Sequence, residues 1–318
     1  MTIFDPLMLQ ENVIATWEKQ GADPSNCLLY WRRHQLLVRR SLPQPVILTN
    51  RQKPPYLPPL SDPQWLVECL RRSPVRLVRG DVNLEERSLR AWADACVRSN
   101  KTLYLRLPTA AQLPQRRTGT RWRFKRVCDW TLAALALGLL SPIFVGIAIA
   151  VTLTSPGPIF FAQWRVGERG KLFRILKFRT MMTDAEKYHH QVMAGQASDC
   201  LHKREDDPRI TPLGRWLRRY SLDELPQLIN VLRGEMSLVG PRPWALYDAV
   251  RIRPELRSRL NALPGITGAW QVEARSHLVD LDAVNDRDLE YLRNWSLVGD
   301  LRILLRTVPK VLSGFGAY

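Results

Sequence analysis

Cysteine and histidine are scarce in this chain, and neither is arranged as a metal site. The 318 residues include 5 cysteines and 5 histidines. No two cysteines are close in sequence, no Cys-x-x-Cys pair occurs, and the histidines show no metal-ligand spacing. These absences argue against a structural zinc site and against a disulfide framework. We therefore expect reduced thiols in a protein that faces the cytoplasm.

Two further signals are missing from the N-terminal part. The first residues, Met1-Thr2-Ile3-Phe4-Asp5, lack a basic region followed by an apolar one, so we expect no cleaved signal peptide. Residues 1–115 also contain no Gly-rich phosphate loop and no catalytic cluster. By elimination, we interpret them as a soluble accessory domain with a regulatory or structural role.

Negative charge is also in short supply. The chain has 47 lysines and arginines against 30 aspartates and glutamates, a formal net charge of +17. Such a surplus favours anionic partners, among them nucleic acid, anionic lipid headgroups and phosphorylated substrates. The charge alone does not choose among these partners.

The length predicts two domains, and a hydrophobic content of 45% supports packed cores. Residues 1–115 are predicted as an α/β domain with parallel strands, because strand and helix patterns alternate along them. The predicted strands are residues 36–38, 46–48, 75–78 and 103–107, and the predicted helix is residues 85–98. Residues 116–318 are predicted as the second domain.

Residues 131–153 form one apolar run without a charged side chain. A straight helix of this length would be about 35 Å long, enough to cross a hydrocarbon core of about 30 Å. A single transmembrane helix is therefore the simplest interpretation, and a buried helix of a soluble core is another. Pro142 argues for a break, because proline removes a backbone donor and kinks a helix. The Ser141 hydroxyl is placed to satisfy a carbonyl that the break exposes.

Basic residues flank the apolar run on both sides. They are Arg121, Arg123, Lys125 and Arg126 before it and Arg165, Arg169, Lys171, Arg174, Lys177 and Arg179 after it. Positively charged flanks tend to stay on the cytoplasmic side, so both ends are expected on the same side. We therefore favour a re-entrant hairpin over residues 127–153, broken at Ser141-Pro142. Asp129 would be costly there unless it is paired, and Arg126 is one candidate partner.

The segment Ser221-Leu222-Asp223-Glu224-Leu225-Pro226-Gln227 carries two adjacent carboxylates. On a helix these side chains would point about 100° apart, which does not suit a pair that faces each other across a substrate. One carboxylate as a nucleophile and the other as a metal ligand fits better. The alternative is structural, because Ser221 and Glu224 match a helix capping box.

Arg242 lies between two prolines in Gly240-Pro241-Arg242-Pro243. The prolines stiffen the backbone, so the guanidinium is presented from a rigid loop and can bind phosphate oxygens through two parallel hydrogen bonds. Arg218, shortly before Asp223, is a second candidate for a phosphate site. For both arginines an ordinary solvated position is the alternative.

Asp280-Leu281-Asp282 is an Asp-x-Asp triplet, a pattern that binds a metal and a nucleotide-sugar in other glycosyltransferases. Such triplets are common by chance, and this one lies in an acidic stretch that runs into a predicted helix at residues 286–293. It remains an alternative metal site.

Taken together, residues 120–318 resemble the catalytic domain of bacterial sugar transferases, the monotopic phosphoglycosyl transferases also called polyprenyl-phosphate hexose-1-phosphate transferases. The segments that carry the resemblance occur in the family's order. They are Lys125-Arg126-x-x-Asp129, Ser141-Pro142, Pro156-Gly157-Pro158-Ile159-Phe160-Phe161, Gln163-x-Arg165-x-Gly167, Lys177-Phe178-Arg179-Thr180-Met181, the Asp223-Glu224 segment, Gly234-Glu235-Met236-Ser237-Leu238-Val239-Gly240-Pro241-Arg242-Pro243, Pro264-Gly265-Ile266-Thr267-Gly268 and Tyr291-x-x-Asn294-Trp295-Ser296.

The resemblance implies an α-rich mixed α+β catalytic domain with one re-entrant membrane helix hairpin. It implies Asp223 as nucleophile, Glu224 as ligand of a Mg²⁺ cofactor, and Arg218 and Arg242 as phosphate-binding residues. The implied reaction transfers a sugar 1-phosphate from a UDP-sugar to polyprenyl phosphate, the initiating step of exopolysaccharide or other surface glycan assembly, and releases UMP.

The same resemblance implies the inner membrane as the location, with the catalytic domain facing the cytoplasm. The expected contacts are anionic lipid headgroups and no nucleic acid, and a homo-oligomer is compatible with the pattern. The N-terminal domain departs from the best-known members. The small members lack such a domain, and the large ones precede the core with several membrane helices.

Two rival functions stay open. One is a metal-dependent glycosyltransferase that uses Asp280 and Asp282 and releases UDP. The other is a non-enzymatic basic scaffold on membranes or nucleic acid, which leaves the Asp223-Glu224 pair and the Arg242 loop unexplained.

Overall fold

A computed structural model of the chain describes residues 27–32, 34–40, 62–106, 119–185, 207–249, 254–273 and 281–314. The chain divides into two compact units. The first comprises Met1–Pro108 with two later segments, Arg169–Leu172 and Leu246–Ile252, and the second comprises the rest. The predicted boundary between residues 115 and 116 lies outside the described residues and stays a prediction.

The first unit is built on a four-stranded sheet in the order β1-β2-β3-β4. The strands are β1 (Cys27–Arg32), β2 (Gln35–Arg40), β3 (Leu77–Asp81) and β4 (Thr102–Arg106). β1 and β2 are antiparallel, whereas β2, β3 and β4 are parallel neighbours. Parallel strands need a crossover connection, which α1 (Pro63–Arg72) and α2 (Glu86–Arg98) supply. The predicted mixture of helices and parallel strands is confirmed for this unit.

Local sequence explains the helices of the first unit. Asp62 caps α1, since its carboxylate accepts from the Gln64 backbone N–H at 2.8 Å, and Pro63 fills the first helical position. α2 buries an apolar face that includes Leu89. A Cβ atom at Gly80 would lie 3.0 Å from Leu89 Cδ2, so glycine permits the close approach of α2 to β3.

Two elements of the first unit, β1 and α1, were not predicted. The strand predicted at residues 75–78 begins slightly later, as β3, and the strand predicted at residues 46–48 lies outside the described residues. The predictions of β2, α2 and β4 are confirmed.

The second unit begins with two helices that meet at a bend. α3 (Thr120–Leu139) and α4 (Ser141–Thr154) make an angle of 62°. Within the described residues, no single helix is long and apolar enough to cross a membrane, but this bent pair meets that criterion when taken together. Pro142 lies in the first turn of α4, where proline costs no helical hydrogen bond. Ser141 Oγ donates to the Gly138 carbonyl at 2.7 Å, as predicted.

Short strands and helices complete the second unit. β5 (Phe160–Val166) lies between β6 (Leu172–Phe178) and β8 (Trp244–Ala245), and β7 (Ser237–Val239) pairs in parallel with β9 (Gly265–Thr267). The helices that follow in the described residues are α5 (Pro212–Arg219), α6 (Gln227–Leu232), α7 (Leu246–Ala249, within the segment assigned to the first unit), α8 (Ala269–Glu273), α9 (Leu281–Arg293) and α10 (Leu297–Ser313). Among the described residues, 3₁₀ helices occur at Glu168–Gly170, Leu222–Glu224 and, over eight residues, at Pro254–Asn261.

Each arm of the bent pair packs on its own apolar cluster. The cluster at α3 contains Ala133, Phe173, Ile175, Leu228, Val231 and Met236. The cluster at α4 contains Ile147, Val151, Phe178 and Leu217. The opposite faces of both arms stay exposed, with Leu139 and Leu153 each 81% accessible.

A buried polar network ties the start of α3 to β7 and α10. Lys125 Nζ donates to Asp300 Oδ2 at 2.7 Å and to the Val239 carbonyl at 3.1 Å. The hydroxyl of Tyr291 donates to Asp300 Oδ1 at 2.6 Å, and Trp295 Nε1 donates to Asp300 Oδ2 at 3.1 Å. Asp300 therefore has a cation and two neutral donors, which is what a buried carboxylate requires.

Asp129 belongs to the same network, one turn after Lys125. It accepts from Ser237 Oγ at 2.7 Å and from the Leu238 backbone N–H at 3.3 Å. The ammonium of Lys125 and the guanidinium of Arg126 each lie 3.7 Å from a carboxylate oxygen of Asp129. The predicted pairing of Asp129 with Arg126 is confirmed, and Lys125 is a second partner.

We expect Lys125→Met to destabilise the second unit strongly, because it leaves Asp300 and Asp129 buried without their shared cation. Removing one member of a buried ion pair costs about 3–5 kcal/mol. Thermal unfolding of the detergent-solubilised protein measures the effect. Arg123→Met is the matched control, since Arg123 lies on the same helix and is exposed. Equal unfolding temperatures for the two variants would contradict the role given to Lys125.

Candidate active site

The two adjacent carboxylates lie on a tight turn between α5 and α6. After α5 ends, Ser221 adopts the left-handed conformation with φ of 53°, and Leu222–Glu224 forms a 3₁₀ turn before α6 starts. The Ser221 side chain makes no capping hydrogen bond. The capping-box prediction is therefore wrong, because the left-handed residue reverses the chain here instead of starting a regular helix.

Lys177 of β6 faces both carboxylates. Its Nζ donates to Glu224 Oε1 at 2.7 Å and lies 3.7 Å from Asp223 Oδ2. Asp223 is buried, whereas Glu224 is half-buried. At these separations a shared cation offsets the repulsion between two neighbouring anions.

Arg218 approaches the pair from the last turn of α5. Its Nε donates to Thr180 Oγ1 at 2.9 Å, which orients the guanidinium. Burial lowers the pKa of Arg218, and the negative charge of Asp223 opposes that shift. The arginine is thus held in the electrostatic field of the predicted nucleophile.

The loop that carries Arg242 connects β7 to β8 and is held by close backbone contacts. The Gly240 N–H donates to the Thr267 carbonyl and the Gly265 N–H donates to the Pro241 carbonyl, both at 2.9 Å. A Cβ atom at Gly240 would lie 2.5 Å from the Leu263 carbonyl oxygen, so only glycine fits there. The Arg242 guanidinium lies over the Trp270 ring, 5.7 Å from its centroid.

A buried ion pair supports the same loop from behind. The Nη2 of Arg259 donates to the Arg242 carbonyl at 2.8 Å and also to Asp288 Oδ2, while its Nη1 donates to Asn285 Oδ1 at 2.8 Å. Burial lowers the pKa of Arg259 to about 10 and raises that of Asp288 to about 6. Residues far apart in sequence thus fix the backbone on which Arg242 stands.

These elements enclose a small space that we call the polar cleft. Its charged and amide-bearing lining residues are Arg165, Lys177, Glu224, Gln227, Arg242 and Gln271. Its volume is about 10 Å³, the room of about one water molecule. Three cations around one carboxylate make it a site for anionic ligands, phosphates above all.

The predicted site residues are brought together in part. Glu224 and Arg242 line the polar cleft, Asp223 adjoins Glu224, and Arg218 interacts electrostatically with Asp223. Ser141 and Pro142 lie apart from them, at the bend between α3 and α4.

The Asp-x-Asp triplet gains no support from the described residues. Asp280 lies outside these residues. Asp282 lies at the start of α9, but its side chain is not among those that the structure describes. Within the part of the chain that is described, no group of three or more His, Cys, Asp or Glu side chains is placed to hold a metal ion.

Lys177 and Arg165 were not predicted as site residues. The sequence placed them only among the basic residues that flank the apolar run, but Lys177 bonds Glu224 and Arg165 lines the polar cleft. Arg179 also turns inward, where it donates to the carbonyls of Ser155 and Pro156. The alternation of cations along β6 was visible in the sequence, but their pairing with a distant turn was not.

Glu224 is the residue that would hold a Mg²⁺ ion here. Magnesium in phosphate-handling enzymes commonly takes one or two protein carboxylates together with waters and substrate oxygens. Glu224 is the more accessible carboxylate of the adjacent pair, and the Lys177 ammonium already contacts it.

Comparison with known proteins gives a consistent result. The family model described as bacterial sugar transferase matches residues 120–314. A UDP-glucose:undecaprenyl-phosphate glucose-1-phosphate transferase of Caulobacter vibrioides is 44% identical over 202 residues, which cover 61% of this chain and 72% of the relative. The exopolysaccharide production protein ExoY of Sinorhizobium fredii is 41% identical over 204 residues, which cover 61% of this chain and 88% of ExoY.

The match to a third relative covers less than half of that protein. The galactosyl transferase CpsE of Streptococcus agalactiae is 40% identical over 194 residues, and the match covers 61% of this chain and 43% of CpsE. The chain thus spans less than half of that protein.

The family match includes α3 and α4, the Asp223-Glu224 turn, the Arg242 loop and α10. The chain therefore belongs to the bacterial sugar transferase family.

Proposed function

We propose that this chain transfers a sugar 1-phosphate from a UDP-sugar to a membrane polyprenyl phosphate and releases UMP. The observation that carries the proposal is the Asp223-Glu224 pair beside Lys177, at the edge of a cleft lined by further cations. The name of the Caulobacter relative, which specifies glucose-1-phosphate transfer from UDP-glucose to undecaprenyl phosphate, supports it. The name of ExoY supports a role in exopolysaccharide production, for which this transfer would be the initiating step.

The first chemical step is an attack by Asp223. A carboxylate oxygen attacks the β-phosphorus of the UDP-sugar, and an oxygen–phosphorus bond forms. The bond from that phosphorus to the oxygen it shares with the α-phosphate breaks, and UMP leaves with the electron pair. The product is an acyl phosphate that joins Asp223 to the sugar 1-phosphate. A covalent intermediate of this kind divides one difficult transfer into two easier ones.

The second step returns the enzyme to its starting state. A phosphate oxygen of the polyprenyl phosphate attacks the same phosphorus. The bond from Asp223 to phosphorus breaks, its electron pair restores the carboxylate, and polyprenyl diphosphate-sugar is released.

Cations make this attack by an anion on an anion feasible. Lys177 lies against both carboxylates, Arg218 lies in the field of Asp223, and Arg165 and Arg242 line the polar cleft. Preorganised positive groups stabilise the charge that gathers on the phosphate oxygens in the transition state. Glu224 would hold a Mg²⁺ ion, which supplies further neutralisation of the diphosphate when bound.

The polar cleft has to widen for the donor. A space of about 10 Å³ admits about one water molecule, far less than a nucleotide-sugar. Arg165 is held by Gln163, to whose Oε1 it donates at 2.6 Å, and the loop of Arg242 is fixed by backbone bonds. We expect the side chains of Lys177 and Glu224, which bind each other, to separate when the donor diphosphate arrives.

The bent helix pair is proposed as the membrane anchor. Its exposed face carries large apolar side chains, among them Leu135, Leu139 and Leu153, and both ends are basic. Apolar surface of this extent is stabilised by lipid, and basic flanks favour anionic headgroups. We therefore propose a re-entrant hairpin in the inner membrane with the catalytic residues on the cytoplasmic side.

The roles of the two predicted domains complete the proposal. Residues 116–318 carry the transferase, and residues 1–115 form an accessory domain. The four-stranded sheet of the first unit has buried hydrophobic side chains, among them Val38, Val78 and Leu103, which suits a domain that adds to the transferase without forming its site.

We expect Asp223→Asn to abolish lipid-dependent UMP release. The purified protein is incubated with Mg²⁺, polyprenyl phosphate and a panel of UDP-sugars, and the released nucleotide is identified. Loss of a nucleophile typically costs on the order of 10³-fold or more in turnover. Asp286→Asn is the matched control, because Asp286 is an exposed carboxylate on α9, and it should keep normal turnover.

Two outcomes of this assay would overturn the assignment. Normal turnover of Asp223→Asn would remove Asp223 as the nucleophile. Release of UDP instead of UMP would replace the proposed reaction with that of a metal-dependent glycosyltransferase.

We expect both flanks of the bent pair to be accessible from one side of the membrane. Single cysteines replace Arg123, which precedes the apolar part of α3, or Arg174, which follows α4; both positions are exposed. The native cysteines are removed from both variants. A membrane-impermeant thiol reagent is then applied to sealed vesicles of known orientation. Labelling of both positions from the cytoplasmic face fits a re-entrant hairpin, and labelling from opposite faces would show a spanning helix.

A further inference from the structure

A second cavity, of about 240 Å³, adjoins the polar cleft, and we call it the apolar cavity. Its walls come from the end of α3, the Asp223-Glu224 turn, β9, α8 and α10. Glu224, Ile266 and Gln271 line both spaces. Two spaces of different chemistry therefore share a wall that includes Glu224, the neighbour of Asp223.

The walls of the apolar cavity suit a hydrocarbon. Leu140, Leu225, Leu228 and Val311 line it from three separate segments of the chain. Two polar groups on its wall bond each other and not a ligand, since the hydroxyls of Thr267 and Thr307 form a hydrogen bond of 2.9 Å. A ligand gains free energy here mainly by removing its own apolar surface from water.

One cation accompanies this apolar lining. Of the described residues that form the wall, Lys310 is the one with a positive charge. It is half-buried on α10. A ligand that combines a hydrocarbon chain with one anionic group matches this combination.

The size of the cavity fits a short, branched hydrocarbon segment. Cavities of roughly 150 Å³ with apolar walls bind a molecule such as benzene. A volume of about 240 Å³ therefore accommodates one or two five-carbon isoprene units but not an entire polyprenyl chain. The remainder of such a chain has to leave through the surface of the protein.

The cavity also lies next to the proposed membrane surface. Leu140 separates α3 from α4 at the bend, and its neighbour Leu139 is 81% exposed. The wall thus runs from the bend of the hairpin to Glu224. A lipid in contact with the hairpin has an apolar route along this wall toward the carboxylates.

We propose that the apolar cavity binds the isoprene units nearest the phosphate of the lipid acceptor, with Lys310 balancing the charge of that phosphate, while the polar cleft receives the nucleotide-sugar. This assignment rests on the proposed function and adds the location of the acceptor. It separates the two substrates by chemistry and lets them meet at the Asp223-Glu224 pair.

The test fills the cavity from two helices. Val311→Trp and Leu140→Trp place a large side chain in the cavity. Leu312→Trp and Leu305→Trp are the controls, at positions of α10 that are 72% and 64% exposed. Steady-state assays give the KM for polyprenyl phosphate. Acceptor-free single turnover gives the UMP released per enzyme by the donor half-reaction.

We expect the two cavity variants to raise the acceptor KM by about tenfold or more, the scale on which an apolar pocket responds to a change in volume. Their acceptor-free UMP release should be unchanged. The controls should stay within about twofold of the parent protein in both measurements. Equal acceptor KM values for cavity variants and controls would overturn the assignment while leaving the transferase function intact. A raised KM for the UDP-sugar alone would show instead that the cavity receives the donor.

A measurement without turnover keeps the proposal testable if a tryptophan variant fails to fold. p-Benzoylphenylalanine is introduced at Val311 or Leu312 in the Asp223→Asn background, and the protein is irradiated with polyprenyl phosphate. Crosslinking to the isoprenoid from position 311 and not from 312, found by mass spectrometry, is the expected result. Crosslinking of an ordinary phospholipid with equal yield from position 311 would overturn the selectivity proposed here. If position 311 crosslinks the isoprenoid but the parent protein with Asp223 intact releases no UMP from any donor, the acceptor site stands and the proposed function fails.

Discussion

The buried ammonium of Lys125 is the contact on which the catalytic unit depends. It joins Asp300 at the start of α10 to the Val239 carbonyl at the end of β7, and it stands in the helix that leads into the bend. β7 continues into the loop of Arg242, and α10 forms one wall of the apolar cavity. A single charge therefore links the bent helix pair, the Arg242 loop and the wall of the apolar cavity. Its burial is tolerated because carboxylates and carbonyls surround it.

The site itself is organised by opposite charge and by separation. Asp223 and Glu224 share Lys177, and Arg165 and Arg242 line the polar cleft together with Glu224. On the other side of Glu224 and Ile266 the walls become leucine and valine. On the proposed function, a water-soluble diphosphate and a lipid need two such environments within reach of one nucleophile. The tight turn between α5 and α6 suits this, because its Glu224 lines both spaces and Asp223 adjoins Glu224.

Local sequence patterns predicted the helices and strands of this molecule better than they predicted its long-range contacts. The helical spacing of Leu89, Trp92 and Cys96 predicted α2, and Pro142 predicted the break between α3 and α4. The capping box failed because Ser221 adopts a left-handed conformation, which depends on how the chain reverses after α5. Lys177 was missed for a related reason. Arg174 and Lys177 of β6 are three residues apart and so point to opposite faces of the strand, but which carboxylate Lys177 meets is decided by tertiary packing.

The narrowness of the polar cleft has a consequence for how tightly the two half-reactions are coupled. An acyl phosphate on Asp223 is also a target for water, and each hydrolytic event would release UMP without making lipid-linked sugar. Without a donor the cleft holds about 10 Å³, room for about one solvent molecule. On the proposed mechanism, it therefore has to narrow again around the sugar phosphate after UMP leaves if water is to be kept from the acyl phosphate. Such narrowing would conserve activated sugar until the lipid acceptor arrives.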